Sequence, residues 1–195
     1  MKIERPPSKQ FMPLDAKLVF KGVVFDVYQW EQEMFDGTKA TFERLKRADT
    51  ALVIPVTSEG KIMLAAQEQP GKAPFLGLVG GRLDPGEDPL EAAQRELLEE
   101  TGYEAGEMVL WRALQPVSKL DWVIYTFIAK DCRKVAEQKL DAGEKIELKF
   151  LDFEEFVETA TADGSFTEIE TLTELLRAKA DPAKMTDLKK LFGII

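Results

Sequence analysis

The chain has 195 residues, 45% of them hydrophobic and 31% charged, enough for one domain that hides roughly 70% of its unfolded surface. A formal net charge of −9 disfavours nonspecific binding to a nucleic-acid backbone or an anionic membrane. With no histidine and one cysteine, His-based zinc sites, histidine general bases, Ser-His-Asp triads and internal disulfides are excluded.

Residues 1–14, with Pro6, Pro7 and Pro13, read as an irregular arm. They include no apolar run resembling a signal peptide, and the whole chain has no 18-residue apolar stretch, so a reduced cytoplasmic setting is expected. From Leu18 to Met34 the chain is rich in Val, Phe, Tyr and Trp and broken at Gly22, which predicts one or two strands. Asp36-Gly37 is a hairpin signal, and Ala40–Lys46 is the expected return strand. This first segment, residues 1–48, is expected to form a small β platform, with 49–195 as the main domain.

ALVIPVT from Ala51 is almost wholly apolar, as in a central strand buried on both faces. Lys61–Gln67 is expected to pair back on it after a turn at Glu59-Gly60. The stretch EQPGKAPFLGLVGG then reads as a loop, and its glycines allow close backbone approach to a ligand.

Residues 81–103, GRLDPGEDPLEAAQRELLEETGY, read as a turn, a capped helix and a stop. Asp88 is a good N-cap, Pro89 suits the first helical position, and Glu91 completes a capping-box pattern. Leu90, Ala93, Leu97 and Leu98 form an apolar stripe, and Gly102 fits a left-handed stop. Glu96, Glu99 and Glu100 fall at i, i+3 and i+4. Like charges at that spacing cost roughly 0.2–0.5 kcal/mol per pair, and the helix dipole disfavours anions in a last turn. A cation would offset both effects. Arg95 is placed to bridge Glu91 and Glu99, leaving Glu96 and Glu100 freer for a hard divalent ion with oxygen ligands. The alternative is a solvated acidic helix face.

Met108–Leu114 and Trp122–Ala129 follow as strands, and Cys132 is expected as a structural residue at a strand end. After a loop around Asp141-Ala142-Gly143, Ile146–Leu151 is a strand and Phe153–Thr159 a short helix. Ser165 with Glu168 is a second capping-box pattern, opening a helix through about Lys179, with Ile169, Leu172, Leu175 and Leu176 at helical spacing. Asp181-Pro182 opens a last helix. The pattern is mixed α/β (α+β), without the regular alternation of a Rossmann sheet.

Gly81, Glu87, Arg95-Glu96-Leu97, Glu99-Glu100 and Gly102-Tyr103 match all nine fixed positions of G-x5-E-x7-R-E-U-x-E-E-x-G-U, with U a large apolar or aromatic residue. On these residues the chain resembles the Nudix hydrolases. The longer stretches from Phe20 to Val56 and from Glu144 to Glu158 resemble the ADP-ribose and nucleoside-diphosphate-sugar pyrophosphatases among them. The resemblance implies a mixed central sheet between helices, with the N-terminal platform exchanged between the subunits of a homodimer. It implies Mg²⁺-dependent (or Mn²⁺-dependent) hydrolysis of a diphosphate, giving a nucleoside monophosphate and a sugar phosphate. The alternatives are a nucleoside triphosphate or dinucleotide substrate, or a sensor that has lost catalysis.

By the same resemblance Glu96, Glu99, Glu100, the Gly80 carbonyl and Glu144 are metal ligands. Glu99, Glu100, Arg95 and Glu144 carry catalysis, Arg95 as an anchor and Glu144 as ligand or base, with Glu87 in support. Tyr28 (or its neighbours Phe25 and Trp30), Arg44, Arg47 and Gly81 are expected at the substrate. Three departures bear on this. Ala142 stands where a companion loop glutamate is expected, so the base stays open between Glu144 and Asp141. Gly77-Leu78-Val79-Gly80 replaces Glu-Leu-Pro-Ala ahead of the box. The arginine often found around Gln67–Pro70 is missing.

Overall fold

The strand Thr50–Thr57 has no exposed residue, and the larger of two sheets is built outward from it. The computed structural model describes residues 3–8, 10–162, 166 and 169–195. In chain order, β1 (Lys17–Lys21), β2 (Asp26–Glu33) and β3 (Lys39–Lys46) come first. Next are β4 (Thr50–Thr57), β5 (Ile62–Glu68), β6 (Phe75–Gly77), β7 (Val79–Arg82) and the helix α1 (Pro89–Thr101). Then follow β8 (Tyr103–Glu104), β9 (Glu107–Leu114), β10 (Leu120–Asp121), β11 (Ile124–Lys134) and β12 (Lys145–Leu151). Helices α2 (Phe153–Thr161), α3 (Ile169–Ala180) and α4 (Pro182–Phe192) close the chain.

The larger sheet runs β12-β5-β4-β11-β8, with β6 on β5, β7 on β4 and β9 on β11. β4 and β11 are parallel, and the other pairs are antiparallel, so the sheet is mixed. Side chains alternate across it. Ala51 and Val53 pack with Ala92, Ala93 and Leu97 of α1. Leu52, Ile54 and Val56 pack on the other side with Phe156, Leu175 and Phe192 from α2, α3 and α4. The result is the expected central mixed sheet between helices.

Some elements differ from the sequence reading. β5 barely pairs back on β4, with one register pair, Val56↔Ile62. It instead runs antiparallel to β12 over seven pairs from Lys145↔Glu68 to Leu151↔Ile62, because the edge that β4 would offer is taken by β7. The glycine-rich loop ahead of the box thus contains two short strands. The Asp88 cap closes on the Leu90 N–H at 2.9 Å, one residue short of the expected capping-box partner, and Glu91 is exposed. The capping box expected at Ser165 and Glu168 lies outside the described residues. Cys132 is buried in β11, its thiol pushed up to about 12, first by burial.

The smaller sheet runs β1-β2-β3-β10. Gly37 turns the β2–β3 hairpin at φ 81°, with Asp36 accepting from the Thr38 N–H at 3.0 Å. Its fourth strand, β10, arrives from the downstream half and lies parallel to β3. The arm is tied across this joint. Arg5 donates to Asp49 at 2.7 Å and to Asp121 at 2.9 Å. Arg44 donates to the Gln10 carbonyl at 2.6 Å and to Ser8 at 2.7 Å. Among the described residues no helix is long and apolar enough to cross a membrane.

Candidate active site

β7 delivers Gly80 and Gly81 to the flank of α1. Gly80 sits at φ 144° with the Ala51 carbonyl of β4 where a Cβ would be, so this position requires glycine, while a Cβ at Gly81 would press on the Glu96 carboxylate. The chain then turns through Asp84-Pro85-Gly86, where the Glu87 N–H donates to the Asp84 carbonyl at 3.0 Å. The Asp84 N–H returns the bond to the Glu87 carboxylate at 2.8 Å. This fold-back places Glu87 beside a helix residue eight positions later.

That residue is Arg95, the hub of the site. It donates to Glu87 at 2.9 and 3.0 Å, to Glu96 at 2.8 Å and to Glu99 at 3.2 Å. A further bond runs to the Arg82 carbonyl at 3.1 Å. The expected bridge to Glu99 is present. The expected bridge to Glu91 is replaced by the pair with Glu87, because the Asp84–Glu87 turn presents a partly buried carboxylate on the side where Arg95 lies. Glu96 is therefore engaged rather than free. Hydrogen bonding to Arg95 holds the Glu87 carboxyl below its usual range. Burial raises the Glu96 carboxyl despite Arg95.

Glu100 is different in kind. It is 6% exposed and accepts a bond from the Gly80 N–H at 2.8 Å. Burial is the largest cause pushing its carboxyl up to about 8; the Gly80 bond opposes, and Glu96, Glu144 and Glu99 add repulsion. Four carboxylates thus share one neighbourhood, and the innermost is raised most, because it is buried without a counter-charge.

These groups line one cavity of about 1050 Å³. Glu87, Glu96, Glu99, Glu100, Asp141 and Glu144 supply acidic walls; Arg47 and Arg82 supply cations. Neither of those two guanidinium groups has a carboxylate partner among the described residues. Arg47 lies over the rings of Trp122 at 4.6 Å and Phe25 at 5.7 Å, held below its usual pKa by burial and by Arg82.

Of the residues expected at the site, Gly80, Gly81, Arg95, Glu96, Glu99, Glu100, Glu144 and Arg47 come to this cavity. Tyr28 and Arg44 do not. Tyr28 is a mid-strand residue of β2 opposite Arg44 on β3, and Arg44 is 2% exposed with its guanidinium engaged by the arm. Arg82 and Asp49 line the cavity without a signal in the sequence, since Arg82 falls at an unconstrained box position.

All the candidate donors are carboxylate or carbonyl oxygens, which suits a hard divalent cation and not zinc or copper. Among the described residues no three carboxylates are gathered to one coordination point: Arg95 holds Glu96 and Glu99, and Gly80 holds Glu100. The donor set and its repulsion fit a Mg²⁺-type ion.

Residues 46–172 match the family model described as the NUDIX domain. The chain is 31% identical over 140 residues to the ADP-ribose pyrophosphatase of Bacillus subtilis (strain 168), covering 70% of this chain and 76% of that protein. It is 31% identical over 146 residues to the methanol dehydrogenase activator of Bacillus methanolicus, covering 73% and 78%. Among solved structures, one described as an ADP compounds hydrolase superposes with a TM-score of 0.72 at 20% identity. That match covers 97% of this chain and all of the other, so the two share a fold.

Proposed function

We propose that this chain, which belongs to the NUDIX family and is a hydrolase of that family, cleaves the diphosphate of a nucleoside diphosphate linked to a further group. ADP-ribose and nucleotide sugars are the foremost substrates, and the products are a nucleoside monophosphate and a sugar phosphate. The observation that carries the reading is the cavity itself, with crowded glutamates on α1, Glu100 buried among them, and two arginines that have no carboxylate partner among the described residues.

A dianionic diphosphate meets both needs. Its oxygens suit Arg47 and Arg82, whose forked donors match phosphate. Glu96, Glu99 and Glu100, with Glu144 and the Gly80 carbonyl, would hold Mg²⁺; when bound, such an ion supplies charge neutralisation and Lewis acidity at the phosphates. Arg95 keeps Glu96 and Glu99 in place and is itself kept in place by Glu87. Glu144 takes the proton of the attacking water, and Asp141 is the second carboxylate within the same loop.

The platform belongs to the same reading. Leu18, Val19 and Phe20 on β1 are 45%, 51% and 61% exposed, which a homodimer through this sheet would cover. Val23 and Val24 of the platform also line the cavity, so assembly and site are adjacent. The buried, unpaired thiol of Cys132 is in keeping with a cytoplasmic setting.

The test is phosphate release, coupled to a phosphatase, across ADP-ribose, GDP-mannose, UDP-glucose, ADP-glucose, NADH and the nucleoside triphosphates, each with Mg²⁺, Mn²⁺ or chelator. Metal-dependent turnover of ADP-ribose or a nucleotide sugar supports the reading. Turnover of triphosphates alone, or of nothing, would overturn it.

A further inference from the structure

The chain after β11 folds back over the C-terminal end of α1. The Val135 and Ala136 N–H groups donate to the Gly102 carbonyl at 2.9 and 3.0 Å, and the Lys139 N–H donates to the Glu99 carbonyl at 2.7 Å. Last-turn carbonyls have no partner within their own helix, so this segment acts as an external cap. It stops at the turn that carries the acidic cluster.

One contact there comes from a side chain. The Gln138 amide nitrogen donates to the Glu100 carbonyl at 2.6 Å and to the Ile146 carbonyl at 3.2 Å. Both of its hydrogens are used. The first acceptor is on the helix turn of Glu96, Glu99 and Glu100. The second is at the start of β12, just past the loop that carries Asp141 and Glu144. That loop is therefore held at its entry by Lys139 and at its exit by Gln138. Inside it, the Glu144 N–H donates to the Asp141 carbonyl at 3.0 Å. Gln138 itself does not line the cavity.

We infer that Gln138 is a positioning residue, which clamps the Glu144 loop in register with the last turn of α1. The inference rests on the reading above, in which Glu144 acts in the reaction. A glutamine is suited to the task because the acceptors are two carbonyls of different elements. Leucine has similar bulk and no donor; glutamate would add a charge facing both oxygens.

The test is a double-mutant cycle in the full-length, metal-loaded protein, with the best substrate of the panel, reading kcat, KM and Tm. Gln138→Leu is expected to lower kcat by about 10- to 100-fold, the scale seen when a supporting contact of a metal site is lost, with KM changed by less than about twofold. In a Glu144→Gln background the same change should cost nothing further, since the carboxylate that the clamp positions is already gone. Gln138→Asn, whose amide sits one methylene short, should fall between; it carries the same cycle if Gln138→Leu does not fold. A wild-type kcat in Gln138→Leu alongside a slow Glu144→Gln would overturn the clamp and leave the proposed function standing. An equal loss from Gln138→Leu in both backgrounds would also overturn it, as an effect independent of the loop. A wild-type kcat in Glu144→Gln overturns the role of Glu144 and the clamp with it.

Discussion

The two sheets of this protein treat apolar residues in opposite ways. All eight residues of β4 are buried, and all five of β1 are exposed. β4 has α1 against one face and α2–α4 against the other, so its burial is complete within one chain. β1 is an edge strand of the platform and carries Leu18, Val19 and Phe20 exposed, with no helix over them among the described residues. The larger sheet is thus covered by its own chain, while the platform leaves an exposed apolar strand that the proposed homodimer would cover. Substitutions in the first region should change chemistry and stability; those in the second should change assembly.

The largest effect is expected from Glu100→Gln. It keeps an acceptor for the Gly80 N–H and removes the innermost carboxyl as a metal ligand, and kcat should fall by at least about 10²-fold, the scale of losing one electrostatic stabiliser of a reacting group. Light scattering should show the same particle mass as the parent. A changed mass would break the division of labour between the sheets.

Next in size is Phe156→Ala. Phe156 is fully buried against Phe192 at a centroid distance of 5.9 Å, and a cavity there costs about 3–5 kcal/mol. Urea unfolding measures it. A loss below 1 kcal/mol would mean that α2–α4 do not close the sheet as described.

A smaller effect links Glu100 to pH. Its carboxyl is raised from 4.5 to about 8 in the folded protein, so its contribution to stability is complete below pH 4.5 and is lost as pH rises through about 8. Chelated protein should therefore lose Tm across that window, Mg²⁺ should restore it, and Glu100→Gln should flatten the slope. Equal slopes in parent and variant would remove Glu100 as the cause.

The smallest effect on the single chain is expected from Phe20→Asp. This exposed site should change intrinsic stability by no more than about 0.5 kcal/mol, yet leave a monomer in light scattering at micromolar concentration. A variant that stays dimeric would place the interface elsewhere.

Much of the candidate active site was legible in the sequence because its signals are local. Asp88, Pro89 and Gly102 mark the ends of α1 within one residue, and the spacing of Glu96, Glu99 and Glu100 places them on one turn. What escaped depends on partners distant in sequence. β6 and β7 hide in FLGLVGG because glycines give no periodicity, and β5 chose β12, whose register partners lie 77 to 89 residues away, over its neighbour. Arg95 found Glu87 rather than Glu91 through a fold-back that helix spacing does not encode. Arg44 looked like a substrate cation until the arm took its guanidinium. Gln138 had no signal at all, since both its acceptors are backbone carbonyls, which every residue carries.

The stack of Phe25, Arg47 and Trp122 carries an optical consequence. The chain has three tryptophans; Trp30 is buried in the platform and Trp111 faces Phe192. Trp122 alone adjoins a cation that lines the cavity. An anion bound at Arg47, as proposed, should alter the field at the indole and with it the emission. In a Trp30→Phe, Trp111→Phe background the molecule becomes its own fluorescent gauge of an occupied site, readable without turnover or label.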